Sequence, residues 1–132
     1  MPLVTLLRVN AVLFAVFGTA FLFQPVEVAH LLTGTFPQTA SALTDMRATY
    51  GGMMIGFAVF LGWSGFSPQA ERAAGVAALS VLIGLAIGRA VGIVVDGSFN
   101  VTIIALLLAE LLFGALLAAA LARPPAPESL NS

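Results

Sequence analysis

Between Leu3 and Ala122 the chain is apolar almost throughout, and its few polar breaks divide it into four runs, each long enough to cross a bilayer. The first runs from Leu3 to Phe23 and ends at Gln24-Pro25; the second runs from about Ala48 to Phe66, ahead of Ser67-Pro68. The third follows Glu71-Arg72, covers 73–95 and stops at Asp96-Gly97; the fourth covers 101–122 and ends at Arg123-Pro124-Pro125. A helix needs about 20 apolar residues to span the hydrocarbon core. In lipid the helix is the only open-ended structure that satisfies its own backbone. The sequence therefore predicts an all-α membrane protein of one domain, 1–122, with four transmembrane helices in an antiparallel up-down bundle. A polar, Pro-rich tail over 123–132 is expected to be disordered.

Composition supports this reading. Hydrophobic residues make up 60% of the chain and charged residues 8%, against about 25% charged in soluble domains. Five Arg, no Lys and six acids leave no basic patch, which argues against nucleic-acid binding. Cys is absent, so thiol catalysis, disulfides and thiolate metal sites are all excluded. The N-terminal run continues to Phe23 with no small-residue cleavage site after it, and reads as a retained anchor. Heavy use of Ala, Gly and Arg points to a GC-rich bacterial source.

The connections are unequal. Those between the second and third runs, and between the third and fourth, are a few residues long, which makes antiparallel neighbours. The first, from Gln24 to Asp45, is longer. Pro25 suits the start of a short interfacial helix and Gly34 its end, with a loop through Pro37 beyond it. An even number of spans puts both termini on one side, with Arg8, Arg72 and Arg123; Arg47 and Arg89 fall to the other. The positive-inside rule then places the termini in the cytoplasm.

Lipid gives helices no hydrophobic reason to associate, so small residues that let backbones approach mark packing faces. Gly84, Gly88 and Gly92 recur every four residues in the third span, with Ser80 on the same stripe, and Gly52 and Gly56 repeat the pattern in the second. These glycines are read as packing within the bundle, or alternatively as a homodimer face. The word Phe-Ala-Val-Phe at Phe14–Phe17 and Phe57–Phe60 is read as coincidence.

Ionisable residues inside spans are functional hypotheses by default. Arg8 lies near a helix end, from which it can snorkel out. Arg89 and Glu110 lie deeper. Arg89 is seven residues, about 10 Å, inside Asp96, and Glu110 is about 15 Å inside Asn100. The depth difference of about 5 Å is within an arginine's reach across neighbouring spans. Asp96 returns to nearly the face of Arg89, and Asp45, Arg47 and Tyr50 enter from the same side. The sequence thus predicts a polar cluster in the outer half of the bundle: Asp45, Arg47, Tyr50, Arg89, Asp96 and Glu110. It is either a paired network that sets helix register or a site for a small or lipid-like ligand. Trp63 and Tyr50 suit the two membrane interfaces. Glu27 and His30 have helix spacing for one metal, but a carboxylate-bridged bundle needs two such units and two further Glu. No metal or cofactor is expected. No nucleophile-and-base pair can be proposed, so the chain is not expected to be an enzyme.

The segments Asp45-Met-Arg-Ala-Thr-Tyr-Gly-Gly52 and Gly84-Leu-Ala-Ile-Gly-Arg-Ala-Val-Gly92, with Asp96-Gly97 and a lone Glu110 in the last span, carry a family resemblance. Over roughly residues 5–122 the chain resembles the bacterial family catalogued as domain of unknown function 4345. That resemblance implies a small four-span membrane protein. It also implies that Arg47, Tyr50, Gly51, Gly52, Arg89, Asp96, Gly97 and Glu110 occupy the family's recurrent polar positions. The expected function is that of a non-enzymatic protein of the bacterial inner (cytoplasmic) membrane. Its alternatives are a proton-coupled small-molecule carrier acting as a homodimer and an accessory subunit of a larger membrane complex. A carboxylate able to gain and lose a proton at mid-membrane is what the carrier would require, and Glu110 is its candidate.

Overall fold

The computed structural model describes residues 1–97 and 99–123, so the tail expected to be disordered falls outside the described residues from 124 onward. All the regular structure among them is helical. Helix α1 covers Leu3–Phe23 and α2 covers Pro25–Thr33. The second starts on proline, whose missing N–H costs nothing in a first turn. It ends at Gly34, where φ is +76° and a side chain would be strained. The Thr39 side chain then accepts from the Ala42 amide at 3.1 Å and starts α3, Ala40–Met46.

Helix α3 passes into a π turn, Arg47–Gly52, then α4, Met53–Trp63, and a 3-10 turn, Ser64–Phe66. Backbone angles at Met46, Gly52, Met53 and Trp63 all stay right-handed helical, so the path from Ala40 to Phe66 is not broken. The helix therefore begins eight residues before the apolar run read from Ala48. Ser41, Thr44 and Asp45 hide this start from a search for apolar residues, whereas the Thr39 cap announces it. Helix α5, Pro68–Asp96, is likewise longer than the apolar stretch within it. Its N-terminus is capped by Ser67 Oγ, which accepts from the Ala70 amide at 3.2 Å. Helix α6, Val101–Leu121, is capped by Asn100 Oδ1, which accepts from the Ile103 amide at 2.8 Å.

Helices α1, α5 and α6 are each long and apolar enough to cross a membrane. Large apolar side chains such as Val12, Val16, Val59, Val94, Leu108 and Leu112 cover the exterior rather than the interior. In water such a surface would drive aggregation; together with the three helices it marks a membrane-embedded protein.

Packing is uneven. Helix α1 lies chiefly against α4 and the π turn, and α5 chiefly against α6. The two pairs meet most tightly where α1 begins. There Leu6 and Leu7 pack with Leu61, Ala74, Ala78 and Leu117, all buried. At the same end Arg72 Nη2 donates to the Leu121 carbonyl at 3.2 Å, satisfying one of the acceptors a helix leaves open at its C-terminus.

The glycines that permit close approach are not the expected ones. A Cβ on Gly18 would lie 2.9 Å from the Gly51 carbonyl oxygen and 2.9 Å from Ile55 Cγ1, and one on Gly51 would lie 3.1 Å from the Leu22 backbone. A Cβ on Gly75 would meet Leu121 and Leu3 at 3.0 and 3.2 Å. By contrast Gly56, Gly84 and Gly88 have nothing of the chain within 4 Å of such a Cβ. Gly52 approaches only the Arg47 carbonyl oxygen at 3.8 Å, and Gly92 only Asp96 Oδ2 at 3.6 Å, each on its own helical segment. The four-residue stripe on α5 thus faces outward. Spacing reveals that residues share a face, but not which face it is.

Candidate functional site

Away from the tight end, the two helix pairs stand apart and leave a half-open cavity of about 410 Å³ between them. Its walls come from every long helix, and α2 closes it on one side through Ala29, Leu32 and Thr33. The position of α2 is set by Asn100, whose Nδ2 donates to the Leu32 carbonyl at 3.0 Å while its Oδ1 caps α6. One side chain therefore ties the end of α2 to the beginning of α6. Asn directly before an apolar run is an N-cap signal, but nothing in the sequence ties it to α2.

The cavity wall is mostly aliphatic and aromatic. Phe14, which meets Phe57 edge-on at a ring separation of 5.1 Å, and Phe21, which packs on Tyr50 at 5.1 Å, contribute from α1. Five polar side chains interrupt it: Asn10, Thr33, Tyr50, Arg89 and Glu110. A largely apolar concavity with a few polar groups is the ordinary form of a small-molecule site.

Arg89 and Glu110 form its polar centre. Arg89 Nε donates to Glu110 Oε1 at 2.8 Å and to Oε2 at 3.0 Å. The Glu110 side chain is 8% exposed and that of Arg89 24%. A carboxylate this buried requires a partner, because an unpaired ion in a low-dielectric setting is costly. With Nε engaged, neither Nη of Arg89 donates to any described residue, so both remain available on a side chain that lines the cavity. Asn10 is 2% exposed; its Nδ2 donates to the Leu6 carbonyl at 2.9 Å, which turns Oδ1 away from that carbonyl. Among the described residues Oδ1 accepts no hydrogen bond, and Asn10 lines the same cavity. Asn10 was missed at the sequence level because an uncharged amide inside an apolar run attracts less notice than an ion.

Of the six residues expected to cluster, the structure joins only Arg89 with Glu110, while Tyr50 also lines their cavity. Arg47 is drawn elsewhere: its Nε donates at 3.1 Å to the Leu22 carbonyl near the end of α1, where helical acceptors lack partners. Asp45 and Asp96 are exposed, and neither forms an ion pair among the described residues. A buried six-residue cluster is therefore not formed. Charges near a helix end can reach solvent or headgroups, whereas Glu110 has no such exit and takes the cation on the adjoining helix. His30 stacks on Phe36 with ring centroids 4.0 Å apart, and Glu27 is exposed.

The π turn Arg47–Gly52 brings Tyr50 to the cavity and Gly51 against α1. Such turns recur at functional sites because the extra residue re-aims the side chains around it.

These features define a membrane-embedded helical protein with a half-open, mostly apolar cavity and, among the described residues, one buried ion pair in its wall. A family model described as "Domain of unknown function (DUF4345)" matches residues 3–121, and the chain belongs to that family. No curated protein and no solved structure matches the chain.

Proposed function

We propose that the chain is a four-span protein of a bacterial inner membrane, with cytoplasmic termini, that binds a lipid-like small molecule in the cavity between its helix pairs. The helical path from Ala40 to Phe66 is the fourth span, alternating in direction with α1, α5 and α6. The observation that carries the binding reading is the cavity itself: about 410 Å³, within the range of about 300–1,000 Å³ usual for ligand pockets. Its apolar wall suits hydrocarbon, and its few polar groups suit one headgroup. The carrier alternative is less well supported, because both oxygens of Glu110 are already engaged by Arg89. A homodimer remains a second reading, favoured by the outward-facing Gly84 and Gly88. An accessory-subunit role has no specific observation in its favour among the described residues.

Native mass spectrometry of the protein released from lipid nanodiscs tests the binding reading. The expected result is a retained adduct of one amphiphile per chain, lost in Leu85→Trp, which fills the cavity from α5. Bare chain from the unaltered protein, or the same adduct from the variant, would contradict it.

A further inference from the structure

The cavity also carries information about the charge of its occupant. Among the described residues its only ionised side chains are Arg89 and Glu110, and they neutralise each other. An anionic headgroup entering beside them would leave one uncompensated negative charge against a mostly apolar wall, which is unfavourable. A cationic headgroup would leave the opposite imbalance. The unpartnered polar atoms point the same way. Arg89 Nη1 and Nη2 offer donors, while Asn10 Oδ1, on a side chain 2% exposed, offers an acceptor. A carboxylate or phosphate dianion has acceptors only and would leave Asn10 Oδ1 unmatched. An alcohol or primary amide supplies both an acceptor for Arg89 and a donor for Asn10.

We infer that the cavity selects an electrically neutral, long-chain amphiphile whose headgroup both donates and accepts hydrogen bonds, with Asn10 and Arg89 as its readers and Glu110 as the counter-charge that excludes anions. This rests on the cavity being a binding site.

The test uses two photoactivatable probes of equal chain length, a long-chain alcohol and the phosphate ester of the same chain, added to the full chain in phosphatidylcholine nanodiscs. Labelled residues are mapped by peptide mass spectrometry. In the unaltered protein the alcohol should label cavity residues at least about tenfold more than the phosphate, and unlabelled long-chain amide should compete. Glu110→Gln removes the counter-charge, frees Arg89 as a cation and should reverse the order, so that the phosphate labels more. Asn10→Leu should weaken labelling by the alcohol without improving the phosphate. Equal or preferred labelling by the phosphate in the unaltered protein overturns the inference while leaving the cavity a binding site. Cavity labelling by neither probe overturns the binding reading itself. Should Glu110→Gln fail to fold, the unaltered protein and Asn10→Leu still decide between these outcomes.

Discussion

Replacing either Arg89 or Glu110 alone by leucine is expected to destabilise the protein by about 3 kcal/mol, whereas the double replacement should cost much less. The loss falls at the lower end for a broken buried pair because the Arg89 side chain keeps 24% of its surface exposed and can recover part of its solvation. Removing one partner leaves the other charged in a nearly dry environment. Removing both exchanges a compensated pair for apolar contacts, which buried pairs seldom outperform. Titrated unfolding in mixed micelles would measure the four corners of the double-mutant cycle. Additive losses from the two single variants would show that the side chains act independently, contrary to the hydrogen bond that Arg89 Nε shares between both Glu110 oxygens.

Two glycine substitutions should diverge sharply. Gly18→Val should destabilise by roughly 2–3 kcal/mol, because its first carbon already lies too close to the α4 side of the contact and the backbone there must move. The Gly51 carbonyl oxygen and the Ile55 amide nitrogen stand 2.9 and 3.0 Å from that carbon, and neither is a flexible side-chain tip. Gly84→Ala should be neutral or should stabilise by up to about 1 kcal/mol, since alanine favours helix and nothing of the chain lies within 4 Å. The same unfolding assay reads both. Equal losses at the two positions would mean that the α5 stripe packs against something. If Gly84→Leu also abolished a dimer seen in mild detergent, the second-copy reading would gain direct support.

The contrast between Gly18 and Gly84 also shows what kind of information a single sequence holds. Starts and stops were legible because they are local chemistry: Pro25 and Gly34 bracket α2, and Asp96-Gly97 ends α5. The Arg89–Glu110 pair was legible because rise per residue fixes depth, and adjacent helices joined by a short turn must share it. Which side of α5 meets α6 is a global property of the packing, so spacing alone left open whether the glycine stripe faces the bundle or a second copy. Arg47 was misassigned for a related reason. Its partner is the Leu22 backbone, and carbonyls carry no residue-specific signal. The cavity was the least legible feature, because it results from two helix pairs that pack well at one end and stand apart at the other.

Only if the helix from Ala40 to Phe66 crosses the membrane do two antiparallel pairs place the cavity within the bilayer. Because the chain contains no Cys, single cysteines placed at the exposed positions Thr35 and Gln69 report the sidedness of the segments before and after this helix. Labelling with a membrane-impermeant maleimide should reach Thr35→Cys in intact cells and Gln69→Cys only after permeabilisation. Labelling of both from the same side would contradict the four-span arrangement and the cavity's place within it.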